Sequence, residues 1–270
     1  MPNKEGGRSL NVLFIGDIMG KPGRAAVKHF LPLLKEEYHI DVVIANGENA
    51  AAGKGLTKNV ADELYNCGIE FITMGNHVWD NKDIFNFIDQ DPKIVRPANY
   101  PIGAPGRGYG VLLTKGVKIG ILNISGRVFL PPIDDPFPVA VRCINLLKQE
   151  TPIVLVDFHA EATSEKVALG WFLDGSATAV IGTHTHVQTA DARLLEKGTA
   201  YITDVGMTGP RDSVLGVKKE LVINRFLTML PVKFETAEGS LQINAVLLDI
   251  DEETGKTRKI EAIQRTAAHL

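Results

Sequence analysis

Short apolar runs alternate with helical periodicities through the first half of the chain. Residues 11–16 (NVLFIG) read as a buried strand. Residues 24–38 (RAAVKHFLPLLKEEY) space their apolar side chains as a helix does, with Pro22 and Gly23 just ahead. Residues 41–46 (DVVIAN) are again strand-like. Residues 57–68 read as a helix, with Thr57 placed to cap its start and Gly68 its end. Residues 69–75 (IEFITMG) form a third apolar run. This rhythm predicts parallel strands with helices packed on the sheet.

Beyond it, residues 96–110 (RPANYPIGAPGRGYG) are dense in Pro and Gly and read as a loop, long enough to be a lid or the rim of a site. Residues 110–126 read as a hairpin turning at Lys115–Gly116, followed by a helix near 137–149 and a strand at 152–158 (PIVLVDF). A helix near 163–174, a strand at 177–182 (ATAVIG) and a hairpin over 192–205 come next. The remaining apolar stretches, 221–229 (LVINRFLTM) and 232–251, alternate with the strand period. No repeat or linker divides the chain. The expectation is one α/β domain over 1–270, with a two-layered β core (a β-sandwich) flanked by helices.

Composition narrows the function classes. Of 270 residues, 44% are hydrophobic and 23% charged, ordinary values for a globular chain. A net charge of −3 gives no basic field for a nucleic-acid backbone, which argues against a dedicated DNA or RNA binder but not against a nucleotide substrate. Two cysteines, Cys67 and Cys143, are too few for a thiolate zinc cluster or a disulfide scaffold. The apolar run 12–15 is too short for a signal peptide or a span, so a cytoplasmic protein without membrane contact is expected. Homo-oligomerisation stays open.

The chemistry collects where strands end. Asp17 follows the first, Glu48 and Asn49 the second, Asn76 and His77 the third. His159 follows 152–158, and His184 and His186 follow 177–182. These strands are expected to share one sheet, and open α/β sheets place ligands at such carboxyl ends. Each residue alone has an ordinary reading, such as a helix cap for Asp17 or a satisfied structural imidazole for His159. Five strand ends carrying metal-competent groups together point to one site. The set of three histidines, two amides and two carboxylates suits iron, manganese or zinc rather than calcium or magnesium. Seven ligands are too many for one ion and suit two divalent ions, with Glu48 the candidate bridge. The turn after the first strand is not G-x-G-x-x-G, and "GKG" at 53–55 lacks the P-loop frame.

The blocks VLFIGDIMGKPGR, VIANGENAAAGKGLT, ITMGNHVWD, RPANYP, DFHAEATSEK, IGTHTHVQTAD and ITDVGMTGPRDSV resemble those of the YmdB family of calcineurin-like metallophosphoesterases, over nearly the whole chain. The superfamily's usual Asp-x-His has Met19 at its third position here, and the YmdB pattern supplies Asn49 instead. The resemblance implies one metal held by Asp17, Glu48, Asn49 and His186, and another by Glu48, Asn76, His159 and His184. It assigns His77 as proton donor and implies hydrolysis of 2′,3′-cyclic nucleotides by a metal-bridging hydroxide. Two divalent ions, two carboxylates and a hydroxide leave +1, which suits a phosphodiester monoanion. Arg107 and Asn123 are candidate substrate contacts, and Trp79, Tyr109 and Phe129 candidates to stack on a base. A regulatory metal- or nucleotide-binding protein and a phosphomonoesterase would use the same ligands.

Overall fold

The computed structural model describes residues 8–268; His269 of the C-terminal tail lies outside them. Strand β1 (Ser9–Ile15), helix α1 (Gly20–Glu37), strand β2 (Val42–Asn46), helix α2 (Lys58–Asn66) and strand β3 (Phe71–Thr73) follow the expected alternation. β1, β2, β3 and a short β4 (Ile94–Val95) run parallel. Thr57 accepts the Val60 amide at 3.3 Å, the capping bond that a threonine supplies at a helix start.

A second sheet is built from β5 (Tyr109–Thr114), β6 (Val117–Ser125), β7 (Val154–His159), β8 (Ala179–Thr183), β9 (Arg193–Leu194) and β10 (Ala200–Ile202), in the order β5-β6-β7-β8-β10-β9. Helix α3 (Pro136–Leu147) precedes β7 and α4 (Thr163–Phe172) precedes β8. β6, β7, β8 and β10 are parallel. The chain then returns to the first sheet through β11 (Gly209–Pro210), helix α5 (Lys219–Thr228), β12 (Leu241–Asp251) and β13 (Thr257–Ala267), where β12 pairs antiparallel with β1.

Three apolar layers result. Phe14, Ile44 and Phe71 of the first sheet meet Ile121, Leu155, Ile181 and Ile202 of the second between the sheets. Val27, Leu31 and Leu64 of α1 and α2 cover the first sheet's outer face. Ile144 and Leu169 of α3 and α4 cover the second sheet's. Each such fully buried side chain contributes about 1.5–3 kcal/mol of transfer free energy. Residues buried on both faces explain why β1, β2, β7 and β8 read as continuous apolar runs instead of alternating ones.

Two expectations are corrected. Residues 221–228 lie in helix α5 and not in a strand, with Met229 as its left-handed cap: the helix satisfies their peptide groups locally and leaves most of their side chains exposed. The 96–110 loop is not a free lid. The buried Arg96 guanidinium donates to the carbonyls of Pro97, Ala104 and Pro105 at 2.8–3.0 Å and staples it. Strand β13 has no counterpart among the expected elements, because its charged, half-exposed sequence (TRKIEAIQRTA) carries only a weak alternation. No helix among the described residues is long and apolar enough to cross a membrane.

Candidate metal centre

The parallel strands of both sheets end at one edge, and the chemistry gathers there. Asp17 leaves β1, Glu48 and Asn49 leave β2, and Asn76 follows β3. His159 ends β7, and His184 and His186 follow β8. Asp17, Glu48, Asn49 and His159 are buried. Gly75 makes the approach possible: a Cβ there would lie 2.4 Å from both Glu48 Oε2 and the His159 ring.

The atoms around His159 Nε2 carry the argument. Glu48 Oε1, Asn76 Oδ1 and His184 Nδ1 each lie 3.0 Å from it. One ring proton cannot serve three acceptors. The other side of each ring is also committed. Asp157, which accepts from Asn46 Nδ2 at 3.0 Å, takes the Thr183 hydroxyl proton at 2.7 Å. The Thr183 oxygen is therefore free to accept from His159 Nδ1 at 2.9 Å. His184 Nε2 lies 3.0 Å from Glu161 Oε2, leaving Nδ1 as a lone pair. Three acceptors thus converge on His159 Nε2, which supplies a fourth lone pair once its proton is lost, the arrangement that a divalent cation satisfies, with His159 and His184 oriented by their outer partners.

A second convergence lies beside the first. Asp17 Oδ1 and Asn49 Oδ1 are buried without a hydrogen-bond partner, and His186 Nε2 stands 3.9 Å from Asp17 Oδ1. His186 Nδ1 is 3.1 Å from the Leu215 carbonyl, which can only accept, so Nε2 presents its lone pair. Buried polar atoms are almost always paired. An orphaned carboxylate oxygen 3.9 Å from an imidazole lone pair, with an orphaned amide oxygen on Asn49, again fits a cation. Met19 packs near Gly53 and Gly216 and contributes no ligand.

The electrostatics follow. Burial raises the Asp17 carboxyl despite the nearby His186 and His159. Burial would raise Glu48 too, but the field and hydrogen bond of His159, with those of His77, hold it at about 2. Burial would lower His159, but Glu48 and Asp17 outweigh it and raise the ring to about 9. The cluster's demand for positive charge is therefore large. His184 is pushed down to about 3, by burial first and by His159 next, so it stays neutral. Burial lifts Asp157 to about 6, which leaves it ionised at neutral pH.

A family model described as YmdB-like protein matches residues 13–263. The chain belongs to the YmdB-like family. It is 54% identical to the 2′,3′-cyclic-nucleotide 2′-phosphodiesterase of Bacillus subtilis, over 97% of this chain and 99% of that one. The crystal structure of a novel phosphatase from Mycoplasma pneumoniae superposes with a TM-score of 0.90 at 40% identity, covering 96% and 94% of the two chains. A Staphylococcus aureus structure described as a 5′-nucleotidase shares the fold alone, with a TM-score of 0.63 at 14% identity over 95% of this chain and 54% of that one. The sandwich is accordingly of the metallophosphoesterase type, and this YmdB-like chain is a hydrolase.

A cleft of about 240 Å³ opens over the YmdB-like cluster, lined by Glu48, Asn49, His77, Glu161, His184, Thr185, His186 and Leu215. A larger hollow of about 500 Å³ beside Lys21 and Thr236 gathers no such groups. His77 Nδ1 contacts Asp80 Oδ2 at 2.8 Å, and its amide donates to Glu48 Oε2 at 2.9 Å. Neither expected substrate contact lines the cleft. Asn123 is fully buried, with its Nδ2 3.4 Å from the Asp157 carbonyl, because β6 places it beneath the site and not at its mouth. Arg107 is exposed on the loop that Arg96 staples. Trp79 stacks on Phe85 at 5.3 Å, its face taken by packing, whereas Tyr109 and Phe129 are exposed and outside the cleft lining. The residues that sequence reasoning missed are Asp157, Thr183 and Glu161. The visible signal for Asp157 was a carboxylate inside the apolar run PIVLVDF.

Proposed function

We propose that this hydrolase is a phosphodiesterase that uses two divalent transition-metal ions, iron or manganese before zinc, to open 2′,3′-cyclic nucleotides. The carrying observation is the paired convergence of lone pairs. Glu48, Asn76, His159 and His184 would hold one ion, and Asp17, Asn49, His186 and a shared Glu48 the other. When bound, the ions supply an activated water nucleophile and stabilise charge on the phosphoryl oxygens.

The rest of the chemistry belongs to the chain. His77 stands at the cleft with Nδ1 committed to Asp80, so Nε2 is the nitrogen available to the leaving oxygen. In a 2′,3′-cyclic phosphate opened at the 2′ bond, that oxygen leaves as an alkoxide and needs a proton. The B. subtilis relative's activity supports this choice of bond. Among the described residues no Lys or Arg lines the cleft, whereas Glu161 does. That lining favours a phosphodiester monoanion, since nothing but the metals offsets the second charge of a monoester.

The test is a substrate panel on metal-loaded protein: 2′,3′-cyclic AMP, bis-p-nitrophenyl phosphate and p-nitrophenyl phosphate, with elemental analysis in parallel. Two metals per chain and faster turnover of the diesters are expected. Preference for the monoester would make the chain a phosphomonoesterase. Metal-loaded protein that turns over none of them would favour a regulator that binds without hydrolysis.

A further inference from the structure

The loop bearing His184 and His186 is held in a backbone conformation that its own residues oppose. His184 sits at φ 100° and His186 at φ 66°, in the left-handed region that L side chains avoid. Such outliers persist where the surroundings over-determine them. Directly beneath lies an ion pair sealed from water: Lys166 of α4 is 1% exposed and Asp204 is fully buried, with Nζ 2.6 Å from Oδ2. Neither side chain lines the cleft.

Both partners grip the loop's backbone. Lys166 Nζ also donates to the Thr183 carbonyl at 2.6 Å. Asp204 Oδ2 accepts from the Thr185 amide at 3.0 Å and from the Thr185 hydroxyl at 2.8 Å. The peptide groups on either side of His184 are thereby fixed from one buried point. Asp204 Oδ1 accepts from the Gly206 amide at 2.8 Å, and the next residue, Met207, donates its amide to the His186 carbonyl at 3.1 Å. The network therefore reaches both histidines.

We propose that Lys166 and Asp204 are a positioning pair for the metal centre. They hold residues 183–186 in the turn that directs His184 Nδ1 to one cluster of lone pairs and His186 Nε2 to the other. A buried ion pair is poor evidence of a contribution to stability, since two apolar residues of similar volume usually serve as well or better. Its bonds to the strained loop point to geometry as its role. The inference rests on the two-metal reading above and adds what enforces it.

The experiment is a calorimetric titration of Mn²⁺ into chelator-treated full-length protein, with electron paramagnetic resonance of the Mn²⁺-loaded form. It compares the parent with Asp204→Asn and with the double variant Lys166→Met/Asp204→Leu. The double variant removes both charges together and leaves neither stranded, so it tests position separately from folding; Asp204→Asn keeps the shape of the side chain. Folded variants should bind Mn²⁺ 10–100-fold more weakly, the usual cost of losing an outer partner of a metal ligand. They should lose the exchange-coupled two-manganese signal at metal concentrations that saturate the parent, and regain parental kcat in excess Mn²⁺. Folded variants with parental affinity and an intact coupled signal would show that the loop holds itself and overturn the pair's role. A parent that binds no Mn²⁺ would instead overturn the metal reading.

Discussion

At the scale of single residues, position and tautomer decide what each side chain can do. His77 and His159 are both imidazoles near Glu48, yet their surroundings separate them. His159 is buried, with Nδ1 committed to Thr183 and Nε2 amid three acceptors; His77 is half-buried with Nδ1 on Asp80. His77→Ala should therefore retain both metals while kcat on 2′,3′-cyclic AMP falls about 10²–10⁴-fold, the usual worth of a positioned general acid. Bis-p-nitrophenyl phosphate, whose phenolate leaves without a proton, should lose less; an equal loss on both substrates would remove His77 from the leaving group. His159 also makes the centre pH-dependent. Its folded value is raised from 6.5 to about 9, because Glu48 and Asp17 overcome the burial that would lower it. The stability this contributes to metal-free protein is fully present below 6.5 and is lost as pH rises through 9. The melting temperature of chelated protein should thus fall between pH 7 and 9.5. Mn²⁺ must displace that proton, so apparent affinity should climb with pH over the same window and then level off. Calorimetry in buffers of different ionisation enthalpy would count the proton released at pH 7, and none released would refute the assignment.

At the scale of elements, the strand ends are built for close approach. β8 passes the turn after β10 so tightly that a Cβ on Gly182 would lie 1.7 Å from the Thr203 carbonyl oxygen. Backbone cannot yield as a flexible side chain does. Gly182→Ala should destabilise the protein by about 1–3 kcal/mol or more, as overpacking of a core does. It should also weaken Mn²⁺ binding, because the displaced segment carries His184 and His186. Urea unfolding followed by circular dichroism gives the first quantity, and a variant of parental stability would mean that the two strands separate freely here. α5 teaches the complementary lesson. Its short run of β-branched and large apolar residues fits either period, so the local pattern does not choose between them, and the structure makes it a helix.

At the scale of the whole molecule, the two sheets share one inner core. β12 also pairs with β1, which ties the chain's last elements to its first. Neither sheet can bury its inner face alone, so we expect the chain to unfold as a single domain in one cooperative transition. Near- and far-ultraviolet circular dichroism should give coincident melts, and two separate midpoints would show two domains. A metal held by the proposed ligands would join residues from both sheets and would bind only the folded form. Mn²⁺ at a hundredfold excess over its dissociation constant should add about 2.7 kcal/mol for each site it fills, visible as a higher melting temperature.

Much of this was legible in the linear order of residues. Apolar runs of strand length, alternating with helical spacing, specify a layered α/β chain because burial on both faces leaves a strand no polar position. Polar residues at five strand ends point to a shared edge on a single sheet; the structure instead divides those strands between two sheets, β1, β2 and β3 in one and β7 and β8 in the other, a pairing that no local pattern contains. The seven candidate ligands needed nothing more. The outer partners were not legible, since their meaning lies in contacts across the fold. Asp157 reaches His159 only through Thr183, on a neighbouring strand. Lys166 and Asp204 meet 38 positions apart. Asn123 reads as a candidate substrate contact near a strand end, and β6 leaves its side chain fully buried against the Asp157 carbonyl, outside the cleft lining. A side chain's type and its place in a strand are local properties and can be read from the sequence. Which proton a ring carries, and which way it points, depend on groups brought together by packing, and only the tertiary structure decides them.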